Sequence, residues 1–310
     1  MGYSGALSDL PTMIALQRGY FKEQGLDVQL TRINAIQAMT APLATGQLLV
    51  GAGGQTAGLF NAISRNVPIR IVADRNYTPA DYAGTGWAVR TDLLTSGAIK
   101  SAKDLKGRAV AMGARGGTSE TELDVLLRQA GLTLNDVDLK DVTYPDQVAA
   151  FANKNVDVAF TFEPYITTMV NQGVAKMWMT SGHIIPNHEQ SVIVYSPVFI
   201  DKYPNAARGW MVAYVRGVRD YVNAYAHPPL PDDIVAAMNK YGNEPDPAKV
   251  RQTTITPINP DAYPFKDSLN TELSYFTRAG LVKTKLDLNT IVDTSFVDYA
   301  ISKLGKYQAA

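Results

Sequence analysis

The chain has 310 residues, 46% hydrophobic and 9% aromatic, which is enough apolar mass for a buried core and a length that favours two lobes over one. Lys plus Arg and Asp plus Glu balance at 29 each without a long run of either sign, so the charge pattern offers no footprint for a nucleic-acid backbone or an anionic membrane. The chain has no cysteine, which excludes thiolate catalysis, disulfides, iron–sulfur clusters and cysteine-ligated zinc.

Short β-rich runs alternate with amphipathic helical stretches through the first half, the pattern of a parallel sheet covered on both faces. A helix is predicted over 11–21, with Ser8 or Asp9 as its N-cap and Gly25 beyond its end, followed by a strand over 28–30. A second helix over 36–45 leads to the apolar run Leu48-Leu49-Val50. The turn Gly51-Ala52-Gly53-Gly54 then opens a third helix over 55–65, and 69–73 reads as a buried strand.

Near Gly86 the pattern restarts. Ser101 to Asp104 forms a capping box, 108–112 a strand, and Gly113 to Gly117 a glycine-rich turn. The helix after it carries Leu123, Leu126, Leu127 and Ala130 at helical spacing, and Gly131 ends it in the left-handed conformation. Strands over 138–144, 156–162 and 175–179 alternate with helices over 146–153 and 165–172. After a strand over 191–195 the chain turns mostly helical, with segments over 206–226, 232–241, 269–279 and 294–304.

No polar linker separates the middle unit from its neighbours. It is therefore read as inserted, with lobe 1 over 1–87 plus 195–310 and lobe 2 over 88–194, joined by a double crossover that acts as a hinge. The apolar runs fall short of the ~18 residues a membrane span needs, so a soluble mature chain is expected, a leader having been removed.

Ligands of open α/β sheets gather at the carboxyl ends of strands, where loops enter helices. Three such turns are legible. Ser8 and Asp9 begin the first helix, as ligand groups or as plain caps. Gln55 and Thr56 follow two glycines, where backbone can approach a ligand closely or where Thr56 only caps. Arg115, Gly116, Gly117, Thr118 and Ser119 open the Leu123 helix, so N–H groups, helix dipole and guanidinium converge as they would on an anion. The structural alternative there is a Ser119–Glu122 capping box with a solvated Arg115.

Glu163 ends a strand and faces either a ligand nitrogen or the next helix N-terminus. Trp87, with Tyr77, Tyr82, Phe162 and Tyr165, either stacks on a planar ligand or packs. His183 and His188 share a stretch with Pro186 and Asn187 that reads as polar loop. No metal, cofactor or catalytic residue is assigned.

Several of these segments, in order, resemble one family. Gly19 to Val28, GYFKEQGLDV, is similar to the GYFKEEGLDV element of periplasmic solute-binding proteins of the sulfonate, nitrate, taurine and thiamine-precursor group. Thr45-Gly46-Gln47, Ser101 to Gly107 and Asn155 to Tyr165 resemble its later elements, and the stretches beginning at Tyr203 and Ile291 its C-terminal helices.

The resemblance implies a type II periplasmic-binding-protein fold and a monomer in the periplasm, or outside the cell at the membrane. It implies capture of a small-molecule ligand by hinge closure and delivery to the permease and ATPase of an ABC importer. Arg115 with its glycine turn favours a sulfonate, carboxylate or similar anion, and Glu163 with the aromatics a nitrogen heterocycle; a small organic anion, with or without a ring, is the choice. An enzyme of pyrimidine-precursor or menaquinone-pathway type on the same fold, or a ligand-sensing receptor domain, is the alternative.

Overall fold

The computed structural model describes residues 1–309 apart from 34, 66, 114 and 253. The chain forms two compact units, Met1–Tyr77 with Glu189–Asn270 and Val282–Ala310, and Thr78–His188 with Thr271–Leu281.

The first unit starts with β1 (Gly2–Tyr3), a 3₁₀ turn (Leu7–Asp9), α1 (Leu10–Gln17), α2 (Tyr20–Glu23), β2 (Thr31–Arg32), α3 (Ile36–Thr45), β3 (Val50–Gly53), α4 (Ala57–Ser64) and β4 (Arg70–Thr78). The helix expected over 11–21 is two helices, because Gly19 adopts φ +76° between them and turns the chain.

The second unit holds β5 (Thr85–Arg90), α5 (Thr91–Thr95), β6 (Ala109–Met112), α6 (Thr118–Gln129), β7 (Asp138–Asp141), α7 (Tyr144–Ala152), β8 (Val158–Phe162), α8 (Tyr165–Asn171), β9 (Ala175–Thr180) and α9 (Ser181–Ile184). Its Ser101–Asp104 capping box is formed, and Gly131 sits at φ +76° after α6, as the sequence indicates.

The remainder is β10 (His188–Tyr195), α10 (Pro197–Lys202), α11 (Pro204–Ala226), α12 (Asp232–Tyr241), α13 (Pro247–Gln252), α14 (Lys266–Arg278), α15 (Leu288–Ile291) and α16 (Ser295–Leu304). Among the described residues no helix is long and apolar enough to cross a membrane.

Each unit is built on a five-stranded sheet, ordered β2-β1-β3-β10-β4 in the first and β7-β6-β8-β5-β9 in the second. The sheets are mixed where purely parallel pairing was expected. β10 runs antiparallel to β3, with Val194 opposite Gly51, and β5 runs antiparallel to both β8 and β9. A strand that enters the sheet from a distant part of the chain is free of the βαβ handedness that keeps consecutive strands parallel.

The passages between units fall at 77/78 and 188/189, where 87/88 and 194/195 were expected. Thr271–Leu281 also belongs to the second unit, because α14 carries Glu272, Tyr275 and Arg278, whose partners are on α6 or in contact with it.

The first core is dominated by α11, whose buried Met211, Tyr214, Val215 and Val218 cluster with Leu10, Met13 and Ile14 of α1. Each such side chain contributes on the order of 1.5–3 kcal/mol. Gly217 permits the approach of α1 and α11: a Cβ at that position would lie 2.2 Å from the Pro11 carbonyl oxygen.

Candidate functional site

β1 and β3 run parallel, so the turns after them, Ser4–Asp9 and Gly54–Thr56, lie at one edge of the first sheet. β6 and β8 do the same in the second sheet and bring the turn before α6 and Glu163 to one edge. The four groups chosen from the sequence therefore form two pairs, one in each unit.

In the first unit Asp9 is buried and accepts hydrogen bonds through Oδ2 from Ser4 N at 3.0 Å, Ser4 Oγ at 2.9 Å and Gly5 N at 2.9 Å. Its Oδ1 receives Arg75 Nε at 2.8 Å, and the guanidinium also donates to Ser191 Oγ at 3.0 Å and Ser4 Oγ at 2.9 Å. Asp9 thus caps nothing by side chain. It neutralises a buried arginine that ties the first loop to β4 and β10. Ser8 sits half-buried in the 3₁₀ turn.

Gln55 is fully buried and donates its amide to the Glu189 carbonyl, while its Oε1 meets no donor among the described residues. Thr56 accepts from Leu59 N at 3.3 Å, the capping role set beside the ligand role above.

In the second unit α6 begins at Thr118 with Gly117 as N-cap, so the Ser119–Glu122 capping box does not form. Glu120, which the sequence reading passed over, takes that place. Its Oε2 accepts Gly116 N at 2.6 Å and lies 3.8 Å from Arg115 Nε, and its Oε1 accepts the Tyr275 hydroxyl at 2.7 Å. Burial first, and then Glu120, push the Tyr275 phenol upward. The Arg115 side chain stays 45% exposed, Ser119 is buried, and Ala114 lies outside the described residues.

Glu163 accepts from Thr167 Oγ1 at 3.0 Å and Thr167 N at 3.2 Å, which places it over the first turn of α8.

Trp87 is corrected from a stacking residue to a core residue. It is fully buried, 5.6 Å from the Phe160 ring, and donates Nε1 to Glu122 Oε2 at 3.1 Å. Of the other aromatics, Phe162 packs against Tyr144 at 4.5 Å and Tyr165 at 5.7 Å, and Tyr77 against Phe265 at 4.4 Å.

The same Glu122 accepts Ser181 Oγ at 2.8 Å and faces His188 Nδ1 at 2.6 Å, and His188 Nε2 lies 2.9 Å from Glu272 Oε1. His188 is therefore no loop residue: it is fully buried at the start of β10 between two carboxyl groups. His183, on α9, meets Thr180 Oγ1 through Nδ1 at 2.6 Å. No cluster of three or more His, Asp and Glu suited to a metal occurs among the described residues.

A model of the family described as NMT1/THI5 like matches residues 8–229. The chain belongs to the NMT1/THI5-like family. Within its range, the nitrate/nitrite binding protein NrtA of Nostoc sp. is 24% identical over 231 residues, 69% of this chain and 51% of that protein. The chain thus spans about half the length of that curated relative.

Among solved structures, the periplasmic aliphatic sulphonate binding protein SsuA from Escherichia coli aligns with TM-score 0.69 and 21% identity, over 94% of this chain and 90% of that one. The desulfurization enzyme DSZB, for which no organism is named, aligns with TM-score 0.62 and 14% identity, over 98% and 99%. These likenesses show that this NMT1/THI5-like chain has the type II periplasmic-binding-protein fold, and that both binding proteins and an enzyme use that fold.

Proposed function

We propose that the chain is an extracytoplasmic solute-binding protein that captures a small organic anion, a sulfonate, carboxylate or similar group with or without a ring. Capture is by hinge closure, and the ligand passes to the permease and ATPase of an ABC importer. The protein acts in the periplasm, or outside the cell at the membrane, as a monomer that catalyses no reaction.

The observation that carries the anion reading is the turn before α6: Arg115 keeps an exposed guanidinium beside Gly116, Gly117 and Thr118, where helix N–H groups add positive potential. Glu120 sits beside it and tempers that potential, which favours a singly charged ligand over a dianion. Thr118, Ser119 and Glu163 complete the second unit's contribution, and Ser8 and Thr56 are the first unit's. Asp9, Gln55 and Trp87 act as positioning residues, since all three are held inside their own units.

Titration calorimetry with alkanesulfonates, small carboxylates, nitrate and pyrimidines tests the reading. Micromolar or tighter binding of one of the organic anions supports it, and binding of pyrimidines alone overturns it. The fold's use by a desulfurization enzyme favours a second reading, catalysis. Conversion of a bound sulfonate or sulfinate during prolonged incubation, followed by mass spectrometry, would establish it.

A further inference from the structure

Asp74 on β4 and Glu189 on β10 are fully buried on neighbouring strands of the first sheet, and their carboxyl groups are in hydrogen-bond contact. Each also accepts a backbone N–H from the segment leading to α14. Asn259 N lies 2.6 Å from Asp74 Oδ2, and Phe265 N lies 2.8 Å from Glu189 Oε2. Asp74 Oδ1 is buried and meets no ordinary donor among the described residues.

An ionised carboxylate only accepts hydrogen bonds, so contact between two carboxyl groups requires that one of them hold a proton. Like charges brought together in a water-poor interior ionise in two separated steps for the same reason.

The surroundings favour that state. On β4, Arg75 faces the pair but is committed to Asp9, Ser4 and Ser191. From the 3₁₀ turn, Asp9 adds a further negative charge. From α11, Tyr214 donates its hydroxyl to the Asp74 carbonyl at 2.8 Å, and burial first, then Asp74, keep its phenol far from ionising. From α14, Ser268 Oγ accepts Glu189 N at 2.8 Å and brings no charge.

We infer that Asp74 and Glu189 share one proton at neutral pH and that this proton is a latch between β4 and β10, released as the solution turns alkaline. The latch lies beneath both loops of the first sheet's edge. The Glu189 carbonyl holds the Gln55 amide, and Asp74 directly precedes the arginine that carries Ser4, Asp9 and Ser191.

Burial is the largest cause of the upward displacement of Asp74, opposed by the Glu189 and Asn259 hydrogen bonds and by Arg75, and it brings the group to about 7. A carboxyl group raised on folding contributes stability that is complete below its unfolded value and is lost as pH rises through its folded one.

Infrared spectroscopy of the intact protein reads the proton directly. A carboxylic-acid C=O stretch, distinct from carboxylate bands, is expected in slightly acidic buffer, to fade as pH rises past about 7, and to be absent from Asp74→Asn and Glu189→Gln. Persistence of the band in both variants, or its absence from the wild type in acid, overturns the inference.

Thermal midpoints give a second readout. Between about pH 6 and pH 8.5 the wild-type midpoint should fall more steeply than that of Asp74→Asn, whose amide replaces the protonated acid at every pH. Equal slopes overturn the latch. Neither experiment needs a ligand, so failure of the transport reading leaves both decisive.

Discussion

Glu272 Oε1 lies 2.9 Å from His188 Nε2, on the face of the imidazole opposite the Nδ1 that meets Glu122. Burial by itself lowers the affinity of His188 for its second proton. The charge and hydrogen bond of Glu122, then those of Glu272, outweigh it and raise the group to about 9. An imidazolium therefore bridges two acidic side chains at neutral pH.

Replacing His188 with Gln removes the cation and leaves two acids close together in the interior. The expected loss is about 3–5 kcal/mol, read as a shift in the urea midpoint. Because the folded value is raised, this contribution is complete below the ordinary histidine range near 6.5 and disappears as pH rises through about 9. The wild type should lose stability over that alkaline interval, and His188→Gln should lose less.

Arg75 and Asp9 form a buried ion pair at 2.8 Å. Arg75→Met strands the Asp9 carboxylate with neutral donors only, at an expected cost of about 3–5 kcal/mol. Adding Asp9→Asn should recover part of that loss, so a double-mutant cycle with positive coupling in thermal unfolding checks the pair.

Gly217→Ala drives a methyl group into the Pro11 carbonyl, whose oxygen would be 2.2 Å from it. The helices must separate, and about 1–3 kcal/mol should be lost, seen as a lower denaturation midpoint. The same change at Gly19 also destabilises, but through its left-handed φ and not by a clash, since nothing lies within 4 Å.

Arg115→Ala should weaken binding of the best anion in the calorimetric panel by roughly tenfold or more, the scale of a charge-assisted hydrogen bond. Stability should hardly move, because the side chain is 45% exposed and its contact with Glu120 is a loose 3.8 Å. Undiminished affinity would remove Arg115 from the site.

Much of the fold was legible from periodicity alone. The stripe Leu123, Leu126 and Leu127 is buried on α6, and the apolar face of 206–226 became the core of α11, because spacing of apolar residues fixes which face must leave water. Order along the chain does not fix the direction in which a returning strand pairs, and β10 was misjudged for that reason.

The site was legible as turns but not as partners. Glycines and caps mark where strands end, whereas the groups that engage Asp9 and Glu122 come from 66 residues away in both cases. One signal was present. Asp74-Arg75 interrupts an otherwise apolar strand, and charge inside such a run calls for a buried counterpart.

α6 presents Glu120, Glu122 and Asp124 to Tyr275, Ser181, His188, Glu272 and Arg278, three of which lie beyond residue 270. A gene fragment covering 78–188 would retain every strand of the second sheet yet omit the residues that complete these three acidic positions. Excised at its apparent sequence limits, that half should express poorly or aggregate. Linking 271–281 to it through a short flexible tether should restore a folded domain.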